Sequence, residues 1–233
     1  MTKPWDTDIQ NATDPAQAIH LQRFFKTGPG EYGEGDRFLG IKVPILRTLL
    51  KKHSQNIRLT DIKKLLRSPY HEKRLFALLL MVAKFSKENN RREIFDLYMT
   101  NTRYVNNWDL VDQSAPYIAG AFLQHTSTKP LYSLARSNDL WERRIAMVAT
   151  FHCIRQGKSA TALDIAEILL HDSHDLIHKA VGWMLREIGK RCSMKIEEDF
   201  LQQHYTSMPR TMLRYAIERF PEEKRQAYLK GTI

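Results

Sequence analysis

Cysteine is scarce in this 233-residue chain: only Cys153 and Cys192 occur, and neither has a companion at metal-ligand spacing. Two cysteines make no disulfide framework, which argues against a stapled extracellular fold and fits a reducing, cytoplasmic setting. Long hydrophobic runs are missing as well. The longest, Leu75 to Ala83, is far short of the roughly 20 residues that cross a bilayer. The opening residues, Met1-Thr-Lys-Pro-Trp-Asp, offer no apolar stretch that could act as a secretory signal. Val/Ile/Thr alternation is sparse and no Asn-Gly hairpin signal appears, so strands are not expected. A soluble, cytoplasmic protein with no membrane association is the expectation.

Positive charge is plentiful. Lys and Arg number 36 against 26 Asp and Glu, a formal net charge of +10. Such an excess concentrates polyanions near the surface, and nucleic acid is the commonest of these. Apolar residues make up 42%, enough for a continuous core, so the chain is expected to fold as a single domain over residues 1–233.

From about Thr60 onward, apolar residues recur every three or four positions between short polar stretches, which predicts helices throughout. A longer period underlies them. Arg74, Asp109, Arg144, Lys179 and Arg214 stand 35 residues apart, and the two positions after each are mainly apolar: Leu75-Phe76, Leu110-Val111, Ile145-Ala146, Ala180-Val181 and Tyr215-Ala216. Repeats of this length built from helix pairs belong to the TPR, HEAT and armadillo class. The expected fold is therefore all-α, a HEAT-like helical-repeat superhelix (an α-solenoid), with about five helix pairs over residues 58–220. Long helices should begin near Pro69, Asn106, Asn138, Ser173 and Met208, with shorter ones such as Thr128–Arg136 and Ala160–Leu170 behind them. Residues 13–55 read as an N-terminal helical cap in which helices Ala16–Lys26 and Pro44–His53 flank a loop with four glycines, residues 27–36. That loop could bring backbone N–H groups to a phosphate, but it lacks the Gly-Lys-Ser/Thr ending of a P-loop and reads more simply as a connector. Residues 1–12 are expected to be poorly structured.

With the aligned position of each long helix numbered zero, positions 1, 2, 5 and 6 form the apolar side, and positions −1, 0, 3 and 4 the opposite side. That second face carries Trp108, Asp109, Asp112 and Gln113 in one repeat, Arg143 and Arg144 in the next, and His178, Lys179 and Trp183 in the one after, with Arg186 a turn further on. Lys73, Arg74 and Arg214 extend the basic stripe. Singly, each has a structural explanation: the tryptophans as core, Asp109 as a cap or ion-pair partner, the arginines as solvated charge. Together on one face they suit hydrolysis of the N-glycosidic bond of a cationic, alkylated purine. That base leaves neutral and needs no general acid, a carboxylate can stabilise the oxocarbenium charge on the sugar, indole faces attract cations, and arginines hold phosphates.

At these positions the sequence resembles the AlkD family of DNA alkylation repair glycosylases. The matching motifs are Trp108-Asp109-Leu-Val-Asp112, Trp141-Glu-Arg-Arg144 and Lys179-Ala-Val-Gly-Trp183-Met-Leu-Arg186-Glu187, with Phe38-Leu-Gly-Ile41 and Pro44 resembling the family's N-terminal signature. The likeness runs from about Ala16 to Phe220. It implies a superhelix that cradles duplex DNA and excises 3-methyladenine and 7-methylguanine as a monomer, with no metal or cofactor. It further implies that Asp112 is the catalytic carboxylate, that Trp108 and Trp183 contact the lesion's deoxyribose, and that Arg144 binds the backbone beside it. Lys42 joins Arg143, Lys179, Arg186, Lys73, Arg74 and Arg214 as expected DNA contacts. The alternatives are a non-catalytic HEAT-like module for damaged or branched DNA and a protein-interaction scaffold. The basic face argues against the scaffold, and Asp112 with its tryptophans against the passive module.

Overall fold

The computed structural model describes residues 3–87 and 90–233. Among them the chain is helical throughout, consistent with an α-solenoid of helical repeats. The one β-type pairing is an isolated bridge between Arg37 and Tyr70, and no strand forms. No helix among the described residues is long and apolar enough to cross a membrane. Both cysteines are free thiols.

The chain clusters into two compact units that divide after Ser114. The first contains α1 (Pro4–Asn11), α2 (Pro15–Phe24), α3 (Val43–His53), α4 (Leu59–Leu66), α5 (His71–Lys87), α6 (Arg91–Met99), a 3-10 turn at Thr102–Tyr104 and α7 (Trp108–Asp112). The second opens with a π-helical turn, Pro116–Gly120, and continues with α8 (Ala121–Leu123), α9 (Lys129–Ala135), α10 (Leu140–Ala149), α11 (Phe151–Ile154), α12 (Ala160–Ile168), α13 (Asp175–Arg191), α14 (Met194–His204), α15 (Arg210–Ala216), a 3-10 turn at Ile217–Arg219 and α16 (Glu222–Lys230).

Local chemistry sets the boundaries. Proline occupies the first turn of α1, α2, α3 and α9, where its missing N–H has no intrahelical partner to lose. Side chains of Asp14, Asn107, Asp139 and His174 accept from the first backbone N–H groups of α2, α7, α10 and α13. The five helices expected from the repeat each start two residues after the position read from the sequence, at His71, Trp108, Leu140, Asp175 and Arg210, but those from Trp108 and Arg210 end after five and seven residues instead of running long.

One correction concerns the N-terminus. Residues 1–12 were expected to be poorly structured, yet most of them form α1; Met1 and Thr2 lie outside the described residues. Ile9 is the buried residue of this helix. It is held by partners far along the chain: Lys3 pairs with Asp61, Asp8 with Lys52 and His53, and Asp6 with Lys73.

In the first unit, α3 and α4 pack on α5, whose Leu75, Phe76, Leu78, Leu80 and Met81 are buried. In the second, α13 packs against both α10 and α15, with Ile145, Ala146, Val181, Leu185 and Met212 between them. Gly182 permits a close approach of α13 to α15. A Cβ there would lie 2.4 Å from the Met212 carbonyl oxygen and 2.5 Å from Tyr215 Cβ.

The turns before the long helices share a device. The fourth residue of α5, α10 and α13 donates a hydrogen bond to the carbonyl six residues earlier. Arg74 Nη1 reaches Ser68 O and Arg143 Nη1 reaches Ser137 O, both at 3.0 Å, and His178 Nε2 reaches Asp172 O. This corrects the two-sided reading of these helices. Ala77, Leu78, Met147 and Val148, assigned to the open face, are buried, so a basic residue beside them turns to partners within the protein.

Candidate functional site

The short helix α7 begins on Trp108 and ends on Asp112. Five residues cannot sustain a helix alone, since nucleation costs more than so few hydrogen bonds return. Its surroundings hold it at both ends. At the start, Asn107 Oδ1 accepts from Trp108 N at 2.9 Å, and Asp109 Oδ2 lies 2.8 Å from His71 Nε2. At the end, Ser114 Oγ donates to Leu110 O at 2.6 Å and pairs with Tyr98 OH at 3.1 Å. Burial, with a contribution from the nearby Asp112 charge, raises the Tyr98 hydroxyl above its ordinary range.

His71 is the hub of this unit. Only 2% exposed, it bridges two carboxylates, with Nδ1 2.9 Å from Asp36 Oδ2 and Nε2 on Asp109. Burial alone would push the imidazole pKa down, but the Asp109 charge and the hydrogen bonds to Asp109 and Asp36 outweigh it and raise the value to about 9. The ring is therefore an imidazolium at neutral pH. Asp36 also accepts from Arg74 Nη2 at 2.6 Å. Burial opposes ionisation of Asp36, and the His71 hydrogen bond with the Arg74 charge holds its carboxyl below the usual range.

Beside His71, Glu72 accepts backbone N–H bonds from Leu39 at 2.8 Å, Gly40 at 2.8 Å and Ile41 at 3.2 Å. Gly40, at φ +81°, lies against Asp14; a Cβ would stand 1.9 Å from the Asp14 carbonyl oxygen. The Phe38-to-Ile41 motif is thus a backbone clamp. The glycine loop before it uses its own acids: Gly28 N donates to Glu31 and Gly30 N to Glu34, each at 2.9 Å.

Four rings cluster at this network, with Phe25, Phe38 and His71 in mutual contact, since Phe25 also lies 4.8 Å from the His71 ring. Trp108 lies on Phe25 (centroids 5.3 Å apart, planes 22°), Phe25 on Phe38 (5.1 Å, 18°), and Phe38 on His71 (4.7 Å, 21°). Phe24 meets both Phe25 (5.1 Å, 87°) and Trp108 (6.0 Å, 67°) edge-on. They border a cavity of about 290 Å³, whose lining includes Lys42, Val43, Asp109 and Gln113.

The other expected residues divide between the units. In the first, Lys73 pairs with Asp6 at 3.0 Å, Arg74 is 4% exposed and fixed on Asp36 and Ser68, and Lys42 is exposed at the start of α3. In the second, Arg143 is taken up by Asp172 at 2.6 Å and by the Ser137 and Asn138 carbonyls. Arg144 is 5% exposed and donates Nη1 to Leu176 O at 2.7 Å, so the expected phosphate contact falls on a side chain already engaged within the protein. Lys179, Trp183 and Arg186 share one half-buried stripe of α13. Lys179 pairs with Asp175 at 2.7 Å, Trp183 lies 5.8 Å from the Phe151 ring, and Arg186 pairs with Glu218. Arg214 is exposed on α15.

Counted from the observed helix starts, Asp112, Arg144, Lys179 and Arg214 each stand fifth in their helices. The 35-residue register had placed Asp109 in that column. Asp109 instead holds His71, while Asp112 is half-buried. Sequence reasoning missed His71, Asp36, Phe24 and Phe25, although Trp108, Asp109, Lys42 and the motif around Phe38 pointed to this region. Among the described residues, no three His, Cys, Asp or Glu side chains gather as metal ligands would.

A family model described as "DNA alkylation repair enzyme" matches residues 6–220. Among solved structures, a chain described as a predicted DNA alkylation repair enzyme from Enterococcus faecalis aligns with a TM-score of 0.69 and 16% identity, covering 90% of this chain and 97% of its own. At that identity the likeness is one of fold. No protein of curated function matches the sequence.

Proposed function

The chain belongs to the DNA alkylation repair enzyme family, and on that premise we propose that it is a monofunctional DNA glycosylase. Its substrates are cationic alkylated purines, 3-methyladenine and 7-methylguanine, in duplex DNA. The observation that carries this reading is α7: a half-buried carboxylate, Asp112, follows one helical turn after a half-buried indole, Trp108, on a segment anchored at both ends.

The chemistry needs little more. An N-alkylated purine carries positive charge, and when the C1′–N bond breaks its electron pair neutralises the base. No acid has to protonate the leaving group. Positive charge then develops on the deoxyribose, where a carboxylate stabilises it, and water adds to C1′ and releases a proton. Asp112 supplies the carboxylate. The indole face of Trp108 favours the cationic centre by about 0.5–2 kcal/mol; Trp183, in the second unit, is proposed as a further DNA contact. Lys42, Lys179, Arg186 and Arg214 are the proposed phosphate contacts. Arg74, Arg143 and Arg144 serve the scaffold, and Arg144 fixes the start of α13, the helix that carries Trp183.

The test is base release. The purified protein should liberate 7-methylguanine from methylated duplex DNA. Asp112→Asn should slow release by about a hundred-fold or more, the loss typical when one transition-state stabiliser is removed, while duplex binding persists. Wild-type binding without any release would establish the alternative, a non-catalytic DNA-binding protein. Undiminished release by Asp112→Asn would refute the carboxylate assignment.

A further inference from the structure

The second unit carries a cluster of donor groups outside the residues so far assigned to DNA. It is built where the π-helical turn Pro116–Gly120 runs into α8. Gly120 lets that turn lie on the end of α10 and on α11. A Cβ there would stand 2.1 Å from the Ala149 carbonyl oxygen and 2.9 Å from His152 Cβ. A π turn re-aims the side chains that follow it, and such turns recur at functional sites. Here the contact brings Tyr117 to Arg155 and Gln124 to His152.

Arg155 is the central cation. It is exposed, and its guanidinium lies over two rings, 5.3 Å from the Tyr117 centroid and 5.5 Å from that of Phe151. Among the described residues that guanidinium has no carboxylate and no hydrogen-bond partner. Arg143, Arg144 and Arg186 differ, being held by Asp172, the Leu176 carbonyl and Glu218. Stacking steadies a planar guanidinium and leaves its fork of N–H donors for a carboxylate or phosphate. The groups beside it are donors as well. His152 Nε2 lies 2.8 Å from Gln124 Nε2 and 3.0 Å from Gln156 Nε2, and Gln124 Nε2 is also 2.9 Å from His125 Nε2. One ring nitrogen offers a single lone pair, too little for two amides, so donor capacity remains for a ligand that only accepts. Burial and the charges of Arg155 and His125 hold the His152 imidazole below its ordinary pKa, which keeps it neutral at pH 7. That positive field disfavours a metal cation between the two ring nitrogens and favours an anion.

We propose that Arg155, Gln124, Gln156 and His152 form a phosphate-binding site, with Arg155 as its anchor. For the source of the phosphate, the backbone of duplex DNA, the inference rests on the reading above. Its geometry lies wholly within the second unit.

Two measurements on the full chain test it. In the first, the histidine ring resonances are followed by NMR as inorganic phosphate is added, with potassium chloride at matched ionic strength as the control. The His152 and His125 signals should move saturably with phosphate alone, and the His152 midpoint should rise, because a bound anion favours the imidazolium. Arg155→Gln should abolish these shifts. In the second, fluorescence anisotropy reads binding of an unmodified duplex. Arg155→Gln should weaken it by about ten-fold, the scale of one lost charged hydrogen bond. It should also make the dependence of log affinity on log salt shallower by about one. Gln124→Ala removes a donor but no charge, so it should weaken binding while the salt slope is kept. Histidine signals that ignore phosphate, or that respond equally in Arg155→Gln, would overturn the site. Duplex affinity and salt slope unchanged in an Arg155→Gln protein with the wild-type circular dichroism would overturn the DNA backbone as its source and point to free phosphate. Neither measurement uses base release, so loss of the glycosylase reading and loss of this site are separate outcomes.

Discussion

Replacing His71 by Gln tests the charge network beneath α7. The wild-type imidazole is raised from an ordinary 6.5 to about 9, because the Asp109 charge and hydrogen bonds to both aspartates outweigh the cost of burial. Each unit of difference between folded and unfolded chain corresponds to about 1.4 kcal/mol, so the bridge contributes on the order of 3 kcal/mol when fully protonated. A raised folded pKa fixes the direction. The contribution is complete below about pH 6.5, shrinks as pH rises, and is gone above about pH 9. Urea unfolding followed by far-UV circular dichroism between pH 6 and 9.5 should show that decline in the wild type, and His71→Gln should remove most of it. The histidine resonance itself should titrate near 9. Parallel stability curves for the two proteins, or a His71 midpoint below 7, would refute the imidazolium bridge.

Two further perturbations probe the second unit. Glu197 is buried, its Oε1 has no hydrogen-bond partner among the described residues, and burial with the neighbouring Glu198 charge raises its pKa from 4.5 to about 8 against the pull of Arg186. Its effect runs from greatest stability below pH 4.5 to least above pH 8, so Glu197→Gln should raise the urea midpoint at pH 8 and flatten the pH profile; a lower midpoint there would count against a neutral Glu197. Gly182→Ala would drive a Cβ against Met212 O and Tyr215 Cβ. Overpacking of that kind costs about 1–3 kcal/mol, and an unchanged melting temperature would show that α13 and α15 separate easily.

The helical repeat was legible because it is written in local chemistry: apolar spacing for the faces, capping residues for the starts. The two-residue displacement of the five helix starts reflects the turn that precedes each of them. What escaped notice depends on contacts between distant positions. Apart from Pro4 at its start, little within Pro4–Asn11 announces a helix, since its ties are to Lys52, His53, Asp61 and Lys73. Arg74 and a solvated arginine look alike in sequence; the difference is Asp36, which the glycine loop delivers 38 residues earlier. Asp109 and Asp112 were both visible as candidates, and His71 is the side chain that separates them, binding the first. The same limit hid the cavity, because Phe24 and Phe25 sit at the end of α2 and meet Trp108 only once the chain is folded.

The hydrogen bonds from Arg74, Arg143 and His178 to carbonyls six residues back bear on how the molecule assembles. Each closes its turn with atoms already close along the chain, so little loop entropy is lost in forming it. A chain rich in such short-range closures has low contact order, the condition for rapid folding. It also gains a form of modularity. A turn tied to its own helix can be lengthened or exchanged upstream of the bonded carbonyl while the helix start stays fixed, which lets loops vary in sequence without moving the residues that follow them.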